Sequence, residues 1–256
     1  MNPQRIVSLA PSTTEILYAL GAGERVVGVT RYCDWPPEVR QKALGIGGWL
    51  DVKDARVADL APDLILAATS LPDRVSARLE AGGLPVLSVD PKTMDDVLET
   101  IDLIGQAVGA AVMARVLVDD IRRRMAAIAA ASARRPRRPR VYVEDWHKPP
   151  TAAGYWMPEL VAWAGGQSGL ALRGQRSVEV TDAEVLAYDP EVIVLSWSGF
   201  GLTAQAQQIE ARPGWAQVAA VRHGQIHVID DRLLSRPGPR LLLGLRQLAA
   251  VLSAVE

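Results

Sequence analysis

Short apolar runs recur along this chain, each followed by a turn and then by an amphipathic stretch. Residues 6–9, 26–29, 64–67 and 86–89 are four-residue runs dominated by Val, Ile, Leu and Ala. Runs of that length bounded by turn residues predict buried strands. The intervening segments carry helical signals. Ser12-Thr13-Thr14-Glu15 fits the S-x-x-E capping box, in which Ser12 and Glu15 would satisfy each other's amides. That predicts a helix over 12–20 with Gly21 as its left-handed stop. Residues 54–60 and 72–81 predict two more helices, the second ended by Gly82-Gly83. Two prolines in "TRYCDWPP" close the second strand, and "GIGGWLDVK" reads as a loop. Strand alternating with helix predicts a parallel sheet with helices on its faces.

The pattern changes between Thr93 and about Ala131. There Ile101, Ile104, Val108, Val112, Val116 and Ile121 recur at helical spacing, as one long helix or as two joined near 105–109. "ARRPRRPR" breaks the stretch. It reads as a solvated connector rather than a nucleic-acid patch, because 28 basic and 29 acidic side chains leave the whole chain at −1. The first pattern then returns, with strands at 141–143, 192–195 and 226–229 and a helix at 158–164. "VKDARVADLAPDLILA" from Val52 and "VTDAEVLAYDPEVIVL" from Val180 share Val, Asp, Ala, Val, Pro and Ile at matching places. A helix–proline–strand unit used twice, half a chain apart, argues for two similar lobes. The predicted fold is α/β: an N-terminal lobe over 1–92, a helical bridge and connector over 93–138, and a C-terminal lobe over 139–256. Each lobe is a mostly parallel sheet flanked by helices. A helical bridge predicts lobes that move little on binding.

Ligands of open parallel sheets bind beyond the carboxyl ends of the strands, so two facing lobes predict a cleft lined by the segments after the strands. Those segments carry Tyr32, Trp35, Trp146, His147, Tyr155, Trp156 and Trp197, with Trp49 in the glycine loop nearby. Aromatic usage is skewed toward seven Trp and five Tyr against one Phe, so flat rings gather where a ligand would sit. The helix start at Ser12, Thr13 and Thr14 would turn its unpaired amides on the same place. Enzymatic signatures are missing: there is no P-loop, no G-x-S-x-G elbow and no dinucleotide glycine fingerprint. His147 beside Glu144 and Asp145 invites a metal or acid–base reading. With three histidines in all and no ligand spaced with it on one face, a protein-built metal site is not expected. An enzyme acting on tetrapyrroles, with His147 and Glu144 as acid–base groups, is kept as an alternative.

"RIVSLAPSTTEILYALGAGERVVGVTRYCDWPPE", "VADLAPDLILA", "RPGWAQVAAVRHGQIHVID" and "RPGPRLLLGLRQL" resemble the periplasmic binding proteins with a rigid helical backbone, over nearly the whole chain. That family serves importers of cobalamin, haem and ferric siderophores. The Tyr32-x-Asp34-x-Pro36-Pro37 form and Trp49 look most like its cobalamin-binding branch. The resemblance implies a non-enzymatic protein without a built-in cofactor that binds a corrinoid, with a ferric siderophore or haem as alternative. It implies Arg236 near the ligand, and an ABC permease partner docking on one acidic residue per lobe, here Asp73 and Glu210. Neither nucleic acid nor membrane insertion is expected, and the chain is expected to be a monomer. Residues 1–5 hold no apolar stretch, so a chain read from Met1 is expected in the cytoplasm, and a trimmed one in the periplasm or at the cell surface.

Overall fold

Five short strands form the first sheet: β1 (Ile6–Ser8), β2 (Val26–Val29), β3 (Leu44–Gly45), β4 (Leu64–Ala68) and β5 (Val86–Val89). They run parallel in the order β3-β2-β1-β4-β5. The computed structural model describes residues 2–48, 51–68 and 73–255, Asp73 by its backbone alone. Helices α1 (Pro11–Ala19), α2 (Val39–Lys42), α3 (Asp54–Asp59) and α4 (Asp73–Ala81) alternate with these strands, and α5 (Met94–Ala107) and α6 (Ala111–Ser132) follow them in the chain. Ile6, Val7, Ile65 and Leu66 have no exposed surface, which is why β1 and β4 read as continuous apolar runs rather than alternating ones. The chain divides into two compact units, Met1–Pro91 with Asp95–Asp120, and Lys92–Met94 with Ile121–Glu256.

The start of α1 corrects the sequence reading. Pro11, not Ser12, opens the helix; Ala10 is its N-cap, and no side chain caps it. Proline's fixed φ suits the first helical position, so the helix starts one residue early and Ser12 falls inside the first turn. The Thr13 and Thr14 hydroxyls donate back to the Ala10 carbonyl at 3.0 Å, and each lies 2.7 Å from the Ser8 hydroxyl. A true capping box occurs at Thr181, whose hydroxyl accepts from the Glu184 amide at 3.2 Å while Glu184 accepts from the Thr181 amide at 2.8 Å.

The long helical pattern resolves into two helices, α5 and α6. Gly109 turns the chain between them at φ +68°, and a Cβ on Gly105 would stand 2.3 Å from that of Ala114. The apolar spacing could not separate one helix from two, because it runs through the turn in the sequence; in the fold Val112 and Val116 are exposed, and α6 buries Ala114, Val118, Ile121 and Met125 instead.

The second unit holds β6 (Arg140–His147), β7 (Pro150–Ala152), β8 (Gln167–Ser168), β9 (Val178–Glu179), β10 (Val192–Leu195) and β11 (Ile226–Val228). The order is β11-β10-β6-β7-β9, with β8 on the first residues of β6. β8, β10 and β11 run with β6, whereas β7 and β9 join antiparallel. Its helices are α7 (Met157–Trp163), α8 (Asp182–Tyr188), α9 (Gln207–Glu210), α10 (Ala219–Arg222) and α11 (Leu241–Ser253). Tyr142, Val185, Ile193, Leu195, Trp197 and Trp215 share one buried cluster.

The internal repeat is structural. α3–β4 and α8–β10 are the two copies; β4 lies beside β1 as β10 lies beside β6. Even the backbone matches: Ala61 and Asp189, each just before the shared proline, have φ of 43° and 46°. Asp189 spends its carboxylate there, accepting the Ala219 amide at 2.8 Å, while Ala61 has only a methyl group to set against left-handed strain. Ala61→Gly is therefore expected to stabilise the protein by about 0.5–1 kcal/mol, raising Tm by about 1–4 °C. An unchanged or lower Tm on calorimetry would contradict this.

The arginine run is a set of pins rather than a free connector. Arg135 donates to the Ala164 and Ala249 carbonyls at 3.1 Å, and Arg137 pairs with Glu191. Arg140 donates to the Tyr188 and Asp189 carbonyls and to the Asp189 carboxylate. Their partners come from α7, α8 and α11 and the turns beyond them, none of which is near the run in sequence.

Candidate functional site

In the first unit the strand order reverses between β1 and β4, the place where open α/β sheets bind ligands. The start of α1 stands there. Ser12, Thr13 and Thr14 are buried, and the two threonine hydroxyls are spent on Ser8 and Ala10. What this helix start offers a ligand is the amides of Ser12 and Thr13; Pro11 has none, and that of Thr14 donates to the Ala10 carbonyl at 3.1 Å. The loop after β2 carries Tyr32 and Trp35, 41% and 44% exposed. Arg31 ties that loop to the glycine loop: its amide donates to the Gly47 carbonyl at 2.9 Å, its guanidinium pairs with Asp51, and its Cζ lies 5.9 Å from the Tyr32 ring centre. The Gly48 amide, and then Arg31, hold the Asp51 carboxyl below the usual carboxylate range. Trp49 lies outside the described residues.

The carboxyl end of the second sheet is built around Glu144, which has no exposed surface. Its two oxygens take four hydrogen bonds: from Tyr142 Oη and Trp197 Nε1, both at 2.8 Å, and from both terminal nitrogens of Arg212 at 2.6 and 2.8 Å. A third Arg212 bond reaches the His147 carbonyl at 3.3 Å. The Arg212 guanidinium also lies over the Trp215 ring at 4.5 Å, and Trp215 Nε1 donates to Asp182 at 2.8 Å. Burial, then the Glu144 charge, pushes the Tyr142 hydroxyl far above its ordinary value. Above this base sits a group of rings. The His147 imidazole stacks on Trp197 at 4.7 Å and 29° and meets the edge of Phe200 at 5.2 Å. Trp146 lies 5.1 Å from His147 and 5.9 Å from Phe200, and is 39% exposed.

The loop bearing Phe200 is hooked at both ends. Asp231 accepts the Gly199 and Gly201 amides at 2.9 and 2.8 Å, and Ser198 donates to Asp145 at 3.1 Å. Ser177 donates to the same Asp145 at 2.8 Å. Burial raises the Asp145 pKa; the two serines oppose the rise and the Asp231 charge adds to it. A carboxyl raised on folding gives stability that is complete below its unfolded value, about 3.9, and lost as pH climbs through its folded value. Asp145→Asn removes that cost. It is expected to melt higher than the natural protein at pH 7, with the gap closing toward pH 3.5. A gap that persists or widens in acid would contradict this reading.

The remaining expected site residues divide. Trp156 and Trp197, placed by the sequence on the ligand, are 6% and 0% exposed. The Trp156 indole nitrogen donates to the Leu234 carbonyl at 2.8 Å, as that of Trp197 does to Glu144, so both rings belong to the core of their unit. Tyr155 stacks on Trp156 at 5.8 Å and holds φ +53°, its amide on the Gln175 carbonyl. Arg236 is part-buried on the segment before α11. Glu210 is exposed at the end of α9, and Asp73 opens α4. The acid–base alternative loses its base: the lone-pair sites of Glu144 are filled by four donors, leaving none for a substrate proton. Sequence reasoning missed Phe200 and Arg212. The first was marked as the only Phe in the chain, the second by the "RPGW" segment.

Two α/β units that each offer rings beyond their strand ends make up a solute-binding protein. The chain belongs to the periplasmic binding protein family, whose profile matches residues 6–233. It is 34% identical to an uncharacterized ABC transporter substrate-binding lipoprotein, YvrC, of Bacillus subtilis, over 97% of this chain and 79% of that one. It is 29% identical to the vitamin B12-binding protein of Yersinia pestis, over 98% and 87%. Its fold matches the periplasmic heme-binding protein RhuT from Roseiflexus with a TM-score of 0.86 at 25% identity, over 98% of both chains. The protein is thus a substrate-binding protein of the ABC-importer kind, a class that binds small molecules and works with a permease. Relatives named as periplasmic or as a lipoprotein fit the extracytoplasmic expectation and give the cytoplasmic one no support.

Proposed function

We propose that the ligand is a corrinoid of the cobalamin type. One observation carries the choice: three arginines at the strand ends are already paired with the protein's own carboxylates. Arg31 pairs with Asp51, Arg212 with Glu144, and Arg232 with Asp230. Haem propionates or an anionic ferric siderophore would need cations to spare. A corrin rimmed by neutral amides needs apolar faces and single hydrogen-bonding groups, which Tyr32, Trp35, Trp146 and the first-turn amides of α1 supply. Similarity along nearly the whole chain to a vitamin B12-binding protein supports the same reading. Haem is the second reading, favoured by the likeness to a heme-binding protein. Arg236 would then answer a propionate, and in the corrinoid reading the phosphate. For the permease, Asp73 and Glu210 are the proposed docking residues.

If each exposed indole gives the ligand about 100 Å², the gain is about 2–3 kcal/mol apiece. Trp35→Ala and Trp146→Ala are expected to weaken cyanocobalamin binding roughly tenfold to a hundredfold each, and Arg236→Ala somewhat less. Isothermal titration of the folded variants checks this. Wild-type affinity in all three would place the ligand elsewhere.

A further inference from the structure

We propose that Glu144 and Arg212 are positioning residues: they touch no ligand, but fix the rings that the second unit presents to it. The inference rests on the proposed binding of a flat ligand at those rings.

Stability is a poor reason for this pair. Burying a carboxylate and a guanidinium together is at best near neutral compared with apolar residues of the same volume. What the pair does supply is direction. Glu144 saturates its acceptor sites with Tyr142, Trp197 and both prongs of Arg212, so each donor is held at one angle. Through Trp197 it sets the face on which the His147 imidazole stacks. Arg212 holds the same residue from its other end, by the His147 carbonyl, at the last position of β6. The Trp215 ring, itself anchored through its indole nitrogen to Asp182, lies under the guanidinium. His147 Nδ1 is buried and among the described residues has no hydrogen-bond partner, so no polar bond of its own at that atom orients the ring. Its orientation comes from the indole of Trp197 and the carbonyl tether, and both lead back to Glu144–Arg212. Phe200 and Trp146 pack on that imidazole in turn, and Trp146 is held besides by its own Nε1 bond to the Lys148 carbonyl at 2.9 Å, next to His147.

The test removes both charges together. In Glu144→Leu/Arg212→Leu no buried charge is left alone, and the stranded Tyr142 and Trp197 donors cost less than a lone buried charge would, so the fold should hold. Isotope-labelled histidine gives His147 ring signals separable from those of His223 and His227, and the stacked indole should shift them upfield. The double variant is expected to fold but to melt lower than the natural protein, because the buried Tyr142 and Trp197 donors lose their acceptor. Its His147 signals should move toward those of the other two, and it should bind cyanocobalamin at least tenfold more weakly. Arg212→Lys, which keeps the charge but loses the fork, should fall between, and serves alone should the double variant fail to fold. Unmoved His147 signals in the folded variants would overturn the proposal, as would cyanocobalamin affinity within twofold of the natural value. Should the natural protein bind no corrinoid, the ligand reading fails by itself, and the His147 signals still decide whether the pair positions the rings.

Discussion

Arg212→Ala is expected to cost about 3–5 kcal/mol of stability, the largest loss from any single polar substitution considered for this chain. The Glu144 carboxylate has no exposed surface, and Arg212 supplies two of its four hydrogen bonds and, among the described residues, its only opposing charge at bonding distance. Taking the guanidinium away leaves a charge where water does not reach, against Tyr142 and Trp197. It also strips the cation from the face of Trp215. At about 2–4 °C per kcal/mol for a chain of this size, Tm should fall by about 6–20 °C. Urea melts followed by tryptophan fluorescence would give the same loss as a lower midpoint. A loss below about 1 kcal/mol would mean that solvent reaches Glu144.

Trp156→Ala is expected to lose a similar amount, about 3–5 kcal/mol, and little affinity. The sequence suggests the opposite, since Trp156 follows a strand in a ring-rich segment. In the fold its indole is 6% exposed, bonded to the Leu234 carbonyl, and sits at the N-cap of α7. Substitution leaves a cavity and an unpaired carbonyl; it removes almost no surface that a ligand could cover. Calorimetry and titration on one sample separate the outcomes. A large loss of affinity with an unchanged Tm would return Trp156 to the site.

Strands buried on both faces were the most legible elements, because β4 and β10 have no polar position and β1 has only the buried Ser8. The repeat of α3–β4 in α8–β10 was legible for the same reason, through Pro62 and Pro190. β7 and β9 were not. Pro150-Thr151-Ala152 and Val178-Glu179 are too short to show a period of two, and are held by pairing to β6 and to each other. The capping box was misplaced because Pro11, whose fixed φ suits the first helical position, competes for the helix start. In the site, exposed rings could be guessed from their place after strands, yet burial could not, so Trp156 and Trp197 were read with Trp35 and Trp146. The Glu144–Arg212 pair left one trace: a carboxylate at the end of the apolar run Val141-Tyr142-Val143. Nothing local points to its partner, which is brought in from the loop after α9.

Titration of the purified protein with cyanocobalamin, with hemin run in parallel, tests the account most directly. Calorimetry or tryptophan quenching should show saturable one-to-one binding of cyanocobalamin at about micromolar Kd or below, with hemin weaker by at least tenfold. Binding of hemin with no response to cyanocobalamin would contradict the corrinoid assignment.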